Sequence, residues 1–282
     1  MTKRKVYDHL TSVDTIIEDI KENQVLPLMV FQMGKVGSST IKKSLGKYLE
    51  SNIPIWHVHH LKNKMRASVY YEEGISLAEM MHKSLDESNK DQKLKVITLV
   101  RDPISRNISH FFQVIDRLVP DTYESYIKDE KPISDLHNAF FYEEYHKKGF
   151  HQVPLNWFDN EIKSIFHIDL LEEDFPKDKG YKIYQYDKVE ILLLKLEDIQ
   201  DTVKDAFKEF MDFKNFELKN ANTSSDKEYT DLYKKFKSTI HIPETYKEEM
   251  YNSKLVKHFY KEDEIKKLQK RWNKSYKSSI GK

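Results

Sequence analysis

Residues 34–40 read Gly-Lys-Val-Gly-Ser-Ser-Thr, between an apolar run at 26–32 and an amphipathic stretch at 39–50. A loop of this make-up, placed between a strand and a helix, suits an anion. The N–H groups of a helix N-terminus have no partner within the helix and carry partial positive charge. Gly34 and Gly37 let the backbone turn tightly and approach a ligand closely. Lys35 adds a full charge, and Ser38, Ser39 and Thr40 add hydroxyl donors. An ordinary strand–helix turn with a hydroxyl N-cap has the same composition. The order of residues is not the nucleoside-triphosphatase loop G-x-x-x-x-G-K-[ST]. Here the lysine precedes the second glycine, so the Mg²⁺-binding hydroxyl that follows lysine in that motif is missing from its place.

Two further stretches carry candidate chemistry. In "VITLVRDPISRNISHFF", 96–112, Arg101 stands at the end of an expected strand and Ser109 lies inside the expected helix that follows. Both suit the mouth of a sheet. In "WHVHHLK", 56–62, His57 and His59 share one strand face while His60 points the other way. A histidine near neutral pKa serves as a general base. A bland hydrogen-bonded histidine, or metal ligation by His57 and His59, stands beside that reading.

"GKVGSST" together with "RDPISRNISHFF" resembles the sulfotransferases that use 3′-phosphoadenosine-5′-phosphosulfate (PAPS). In that family a P-K-x-G-[ST]-[ST] loop holds the 5′-phosphosulfate, and R-[DN]-P-x-x-R-x-x-S holds the 3′-phosphate. The second segment is similar to the uronosyl 2-O-sulfotransferase type. Gly34 replaces the usual proline. "LLLKLEDI", 192–199, resembles a strand-then-Glu-Asp segment of these enzymes. "LNWFDNEIKSIFHIDL" and the tail "SKLVKHFYKEDEIKKLQKRWNKSY" resemble bacterial proteins described as capsular polysaccharide synthesis proteins.

The resemblance implies sulfuryl transfer from PAPS to a hydroxyl, most naturally of a carbohydrate, releasing 3′-phosphoadenosine-5′-phosphate (PAP) with no metal. Gly34, Lys35, Val36, Gly37, Ser38, Ser39 and Thr40 would bind the 5′ end of the nucleotide, and Arg101 and Ser109 its 3′-phosphate. Sulfuryl transfer, like phosphoryl transfer, is a loose in-line displacement, so fixed donors must stabilise its charge. Lys35 would neutralise the leaving phosphate. His59, nearer the strand's end, is the preferred base, with His57 as second choice or orienter. Arg106 has two readings, a 3′-phosphate ligand or the partner of a carboxylate. Asp102 fits the sulfotransferase pattern better than a Walker-B acid. Glu197 and Asp198 read as an N-cap, Trp56 and Trp157 as core. Asn222, Ser224 and Lys227 sit in a polar break read as a solvated loop.

The elements that must position these groups follow from periodicity. Helical spacing covers 8–22, 39–50, 75–88, 103–118, 134–147, 155–166 and 198–212. Apolar runs at 26–32, 94–100 and 189–196 and the alternating 53–61 predict strands. Strands alternating with helices give an α/β fold, a P-loop-like parallel sheet flanked by helices, with ligands beyond the carboxyl ends of the strands. The 282 residues read as one domain: a core over 26–212 and a lysine-rich helical C-terminal extension over 213–282.

Composition bounds the alternatives. Charged residues make up 33% of the chain but the formal net charge is +1, so no bulk field argues for nucleic acid or an acidic membrane. Cysteine is absent, which excludes disulfides, a thiol nucleophile and thiolate metal sites. "LPLMVF" and "ILLLKL" are too short to span a bilayer, and the expectation is a soluble cytoplasmic protein. Two rivals to the sulfotransferase stand: a P-loop nucleotide-dependent kinase, and a non-catalytic PAP- or polyanion-binding protein of polysaccharide assembly.

Overall fold

The long apolar runs form the centre of one sheet. A computed structural model describes residues 4–62, 74–119, 123–219 and 229–272; Asn222, Ser224 and Lys227 lie outside them. The strands are β1 (Val6–Tyr7), β2 (Leu28–Phe31), β3 (Ile55–Val58), β4 (Leu94–Val100), β5 (Tyr181–Gln185) and β6 (Val189–Lys195). They form a six-stranded sheet in the order β1-β3-β2-β4-β6-β5. Neighbours are parallel except β5 and β6, which form an antiparallel hairpin.

β2 is buried at all four of its residues, as expected of a parallel strand covered on both faces. β4 ("LKVITLV") and β6 ("VEILLLK") are buried except at the second residue of each, Lys95 and Glu190. Those two residues are register partners, and their side chains pair at 2.5 Å. The half-buried charged position of each run therefore meets its opposite across the ladder, which also fixes the register.

The chain divides into two compact units, 1–101 with 156–221, and 102–155 with 222–282. The first holds the sheet. Its helices include α1 (Val13–Asn23), α2 (Ser38–Leu45) and α3 (Leu77–Lys83). Ser12 caps α1, which buries Val13, Ile16, Ile17 and Ile20. A reciprocal Ser76–Glu79 capping box starts α3. Helix Ile199–Met211 packs on β5 and β6. The second unit is helical. α4 (Pro103–Leu118) carries proline in its first turn. Phe111 packs on Phe140, Tyr145 and Phe236 at centroid distances of 5.4, 5.6 and 5.7 Å. Helices Ile133–Phe141, Glu144–Lys147, Thr230–Thr239, Glu244–Tyr251, Lys254–Phe259 and Glu262–Trp272 also belong to it.

Several expected elements change at their ends. The helix expected over 8–22 starts at Val13, because Asp8 and Thr11 close a turn ahead of the Ser12 cap. The helix expected over 155–166 is interrupted by a π-helical segment, Phe158–Lys163. β1 and β5 were not expected; both are edge strands, where one-sided burial erases the apolar run.

Candidate functional site

The loop from Gln32 to Gly37 joins β2 to α2. Two of its residues have left-handed backbone, Lys35 (φ 74°) and Gly37 (φ 93°). Glycine suits that conformation, and a Cβ at Gly37 would come within 2.8 Å of Leu196 Cδ1. Lys35 adopts it without that licence, a feature that collects at functional loops. Gly37 is the N-cap of α2, and no side chain caps the helix. The hydroxyls of Ser38, Ser39 and Thr40 are therefore not spent as the N-cap of an ordinary turn, and the helix presents its positive end to the loop. Ser38 is buried, Ser39 exposed and Thr40 half-buried. Val36 is fully buried in the core, so only its backbone can meet a ligand. Arg101, just beyond β4, donates from Nη1 to the Lys35 carbonyl at 2.8 Å. The structure thus brings Arg101 to the loop.

β3 brings the histidines to the same place. His57 is the register partner of Val30 in β2, so the two share a face. His59 lies just past the strand. A Cβ built at Gly34 would sit 3.9 Å from His59 Cδ2, so the imidazole abuts the loop. His59 Nδ1 bonds the Gln32 carbonyl at 2.8 Å. A carbonyl only accepts, so Nδ1 carries the hydrogen, and in the neutral ring the lone pair is on Nε2. His57 and His59 meet edge to face with centroids 4.9 Å apart. Burial pulls the His57 pKa down to about 4, reinforced by the charges of His59, Lys42 and His9. His57 is the poorer proton acceptor, and the tautomer favours His59. No group of three or more His, Cys, Asp or Glu suited to a metal occurs among the described residues.

Glu161 and Gln32 escaped the sequence reading, and Trp157, expected in the core, is buried there but also positions the chain beside the site. Trp157 Nε1 donates to the His59 carbonyl at 2.9 Å, and its ring packs edge-on against Phe31. Glu161, buried in the π-helical segment, accepts from the N–H groups of Leu61 and Lys62 at 2.8 and 3.1 Å and pairs with His60 at 3.2 Å. These contacts pin the chain as it leaves β3. Gln32, at the exit of β2, is fully buried. A tryptophan, a glutamate and a glutamine isolated in sequence give no pattern to read.

Asp198 occupies the N-cap position of helix 199–211 but does not cap it with its side chain. Its carboxylate lies 2.7 Å from the fully buried Lys195 ammonium instead. A buried charge needs its counter-charge more than a helix needs a cap.

In the second unit, Asp102 caps α4 by accepting from the Ser105 N–H and hydroxyl, and it also accepts from Tyr251 OH at 3.0 Å. Its oxygens are engaged in structure. Arg106 is buried and donates to Asn107 Oδ1 at 3.0 Å. Asn107 Nδ2 donates to Tyr246 OH and the His151 carbonyl, both at 3.0 Å. Arg106 thus sits in a buried polar network. Ser109 is half-buried on α4.

A family model described as "Putative capsular polysaccharide synthesis protein" matches residues 126–261, just under half of the chain. The matched segment includes Trp157, Glu161 and β6 and begins after the loop, His57, His59 and Arg101. No curated protein and no solved structure matches the chain. No helix among the described residues is long and apolar enough to cross a membrane.

Proposed function

We propose that this chain is a sulfotransferase of polysaccharide synthesis, moving a sulfuryl group from PAPS to a carbohydrate hydroxyl. One observation carries the reading: Lys35, the uncapped start of α2, Arg101 and the His59 ring converge on a single loop beyond the carboxyl ends of parallel strands. The match to a capsular polysaccharide synthesis family supports the carbohydrate setting.

The chemistry follows from the donors. Loop N–H groups and the Ser38 and Ser39 hydroxyls hold the 5′-phosphate of the nucleotide. The acceptor oxygen forms a bond to sulfur as the bond from sulfur to the phosphate oxygen breaks. The acceptor's proton passes to His59 Nε2. The electron pair stays on the 5′-phosphate of PAP, where the Lys35 ammonium neutralises it. Arg101 binds the 3′-phosphate with the guanidinium N–H groups not turned to Lys35.

Calorimetric titration with PAP, AMP and ATP–Mg²⁺ tests this. A charge-assisted hydrogen bond contributes about 1.5–3 kcal/mol net. PAP should therefore bind at least about tenfold tighter than AMP, which lacks only the 3′-phosphate. Equal affinities, or tighter binding of ATP–Mg²⁺, would overturn the proposal. Binding of PAP with no sulfuryl transfer from PAPS to any saccharide would make the protein a non-catalytic binder.

A further inference from the structure

Gln32 is fully buried, and neither its Nε2 nor its Oε1 has a hydrogen-bond partner. Among the described residues it is the one side chain with two separate buried polar atoms, a donor and an acceptor, both orphaned. Burying an amide without partners is costly, and a folded chain retains such a group only where something else compensates. Its position in the fold says what that is. Gln32 leaves β2 two residues after Val30, so it shares the sheet face of Val30 and of Val30's register partner His57. Its carbonyl holds the His59 ring, and the anion loop begins at the next residue. His57 Nε2, on the same face, is likewise buried and unpartnered.

The donor–acceptor pair selects the ligand. A phosphate or sulfate would satisfy Nε2 but would set its own oxygens against Oε1. Two adjacent hydroxyls meet both needs: one donates to Oε1 and the other accepts from Nε2. PAP has no such pair on its 3′-phosphorylated ribose. A sugar ring does. We infer that Gln32 reads a vicinal diol of the saccharide acceptor and so sets which hydroxyl faces the phosphosulfate. This rests on the sulfotransferase reading. To admit the diol the loop at 33–37 must give way, and its two left-handed residues, Lys35 and Gly37, are where it turns.

The test is Gln32→Leu, which keeps the volume and removes both polar atoms. Three measurements are made on wild type and variant. The ligand-free variant should melt higher, by roughly 2–4 °C, because an unsatisfied amide is gone. PAP affinity should stay within about twofold. With PAP bound, methyl β-D-glucopyranoside should shift the Gln32 side-chain amide resonance of the wild type, its 2,3-dideoxy analogue should not, and the variant should bind the glucoside at least about tenfold more weakly. The glucoside titration is repeated without PAP, so Gln32 is tested even if the nucleotide fails to bind. Failure of the wild type to bind PAP defeats the sulfotransferase reading. A lower melting temperature for Gln32→Leu would assign the amide to structure or to a buried water only. A tenfold loss of PAP affinity would assign it to the adenine edge. An amide resonance that the glucoside leaves unmoved would remove it from the acceptor site. Each of these three overturns the inference.

Discussion

Arg101 Nη1 donates to the main-chain carbonyl of Lys35 at 2.8 Å. The residue just past β4 thereby holds the crest of the loop that follows β2, where the backbone is left-handed. One guanidinium serves two purposes in the proposed enzyme: it fixes the loop and it meets the 3′-phosphate. Arg101→Ala should therefore weaken both PAP and AMP, with PAP losing more, about tenfold or beyond. Arg101→Lys should recover part of the charge but not the fork geometry. Calorimetric titration of the two nucleotides decides it. Unchanged affinity for both in a folded Arg101→Ala protein would remove Arg101 from the site.

In the proposed reaction Lys35 and His59 act at opposite ends of the displacement, so their losses should differ in kind. Lys35→Ala should lower kcat by roughly 10²–10³, with a smaller fall in PAP affinity because the loop N–H groups remain. His59→Ala should lower kcat by about 10²–10⁴ and leave PAP binding nearly intact. In the proposed enzyme the His59 tautomer and the depressed His57 pKa favour His59 as the base. A large effect from His57→Ala with none from His59→Ala would reverse that assignment.

Glu161 allows a prediction independent of any activity. Its carboxylate satisfies the N–H groups of Leu61 and Lys62 from a buried position. Glu161→Ala orphans both. The Leu61 N–H is buried and the Lys62 N–H only partly so; an unsatisfied buried group costs about 1–3 kcal/mol, so a loss of at least about 1 kcal/mol is expected. Glu161→Gln keeps one acceptor and should fall between. Urea unfolding at neutral pH measures this, and a Glu161→Ala protein within about 0.5 kcal/mol of wild type would show the contacts to be incidental.

Much of the fold is legible in the sequence where burial is two-sided. β4 runs over 94–100 and α4 over 103–118 as expected, because an unbroken apolar run and a proline-led amphipathic stretch each have one reading. β5 is a hairpin edge whose tyrosines, Tyr181 and Tyr184, alternate with polar residues too weakly to stand out. The helix over 155–166 is legible in extent but not in form. Its π-helical segment presents Glu161 to the end of β3, a long-range demand invisible to local periodicity. The same holds at the site. Gly34, Lys35, Gly37 and Arg101 carry a spacing that can be recognised, and the structure brings Arg101 to the loop. Gln32 and Trp157 carry none, because a single amide or indole acquires its role only from the carbonyl or ring that the fold sets beside it.

The histidines also set a pH limit on stability. His151 is buried, with Nε2 at 2.8 Å from the Phe140 carbonyl and Nδ1 at 2.8 Å from Tyr246 OH. The carbonyl requires hydrogen on Nε2, so Nδ1 accepts from Tyr246, whose oxygen accepts in turn from Asn107 Nδ2. Protonating Nδ1 would place two donors face to face and break that chain. Burial holds the His151 pKa down to about 4, and that of His57 as well. An unfolded histidine titrates near 6.5. Below that pH the unfolded chain binds protons that the folded chain refuses. The stabilisation is therefore complete above about pH 6.5 and is lost as pH falls toward 4. The depression at His151 corresponds to a loss of order 3 kcal/mol across that window. Urea unfolding of the wild type at pH 7.5, 6.5, 5.5 and 4.5 should show stability falling between the second and last points. His151→Gln should be less stable at pH 7.5 but have a shallower slope, and adding His57→Gln should flatten it further down to about pH 5, where carboxylates take over. A wild-type curve flat from 6.5 to 4.5, or a His151→Gln curve parallel to it, would show that His151 is not held neutral by its buried chain of hydrogen bonds.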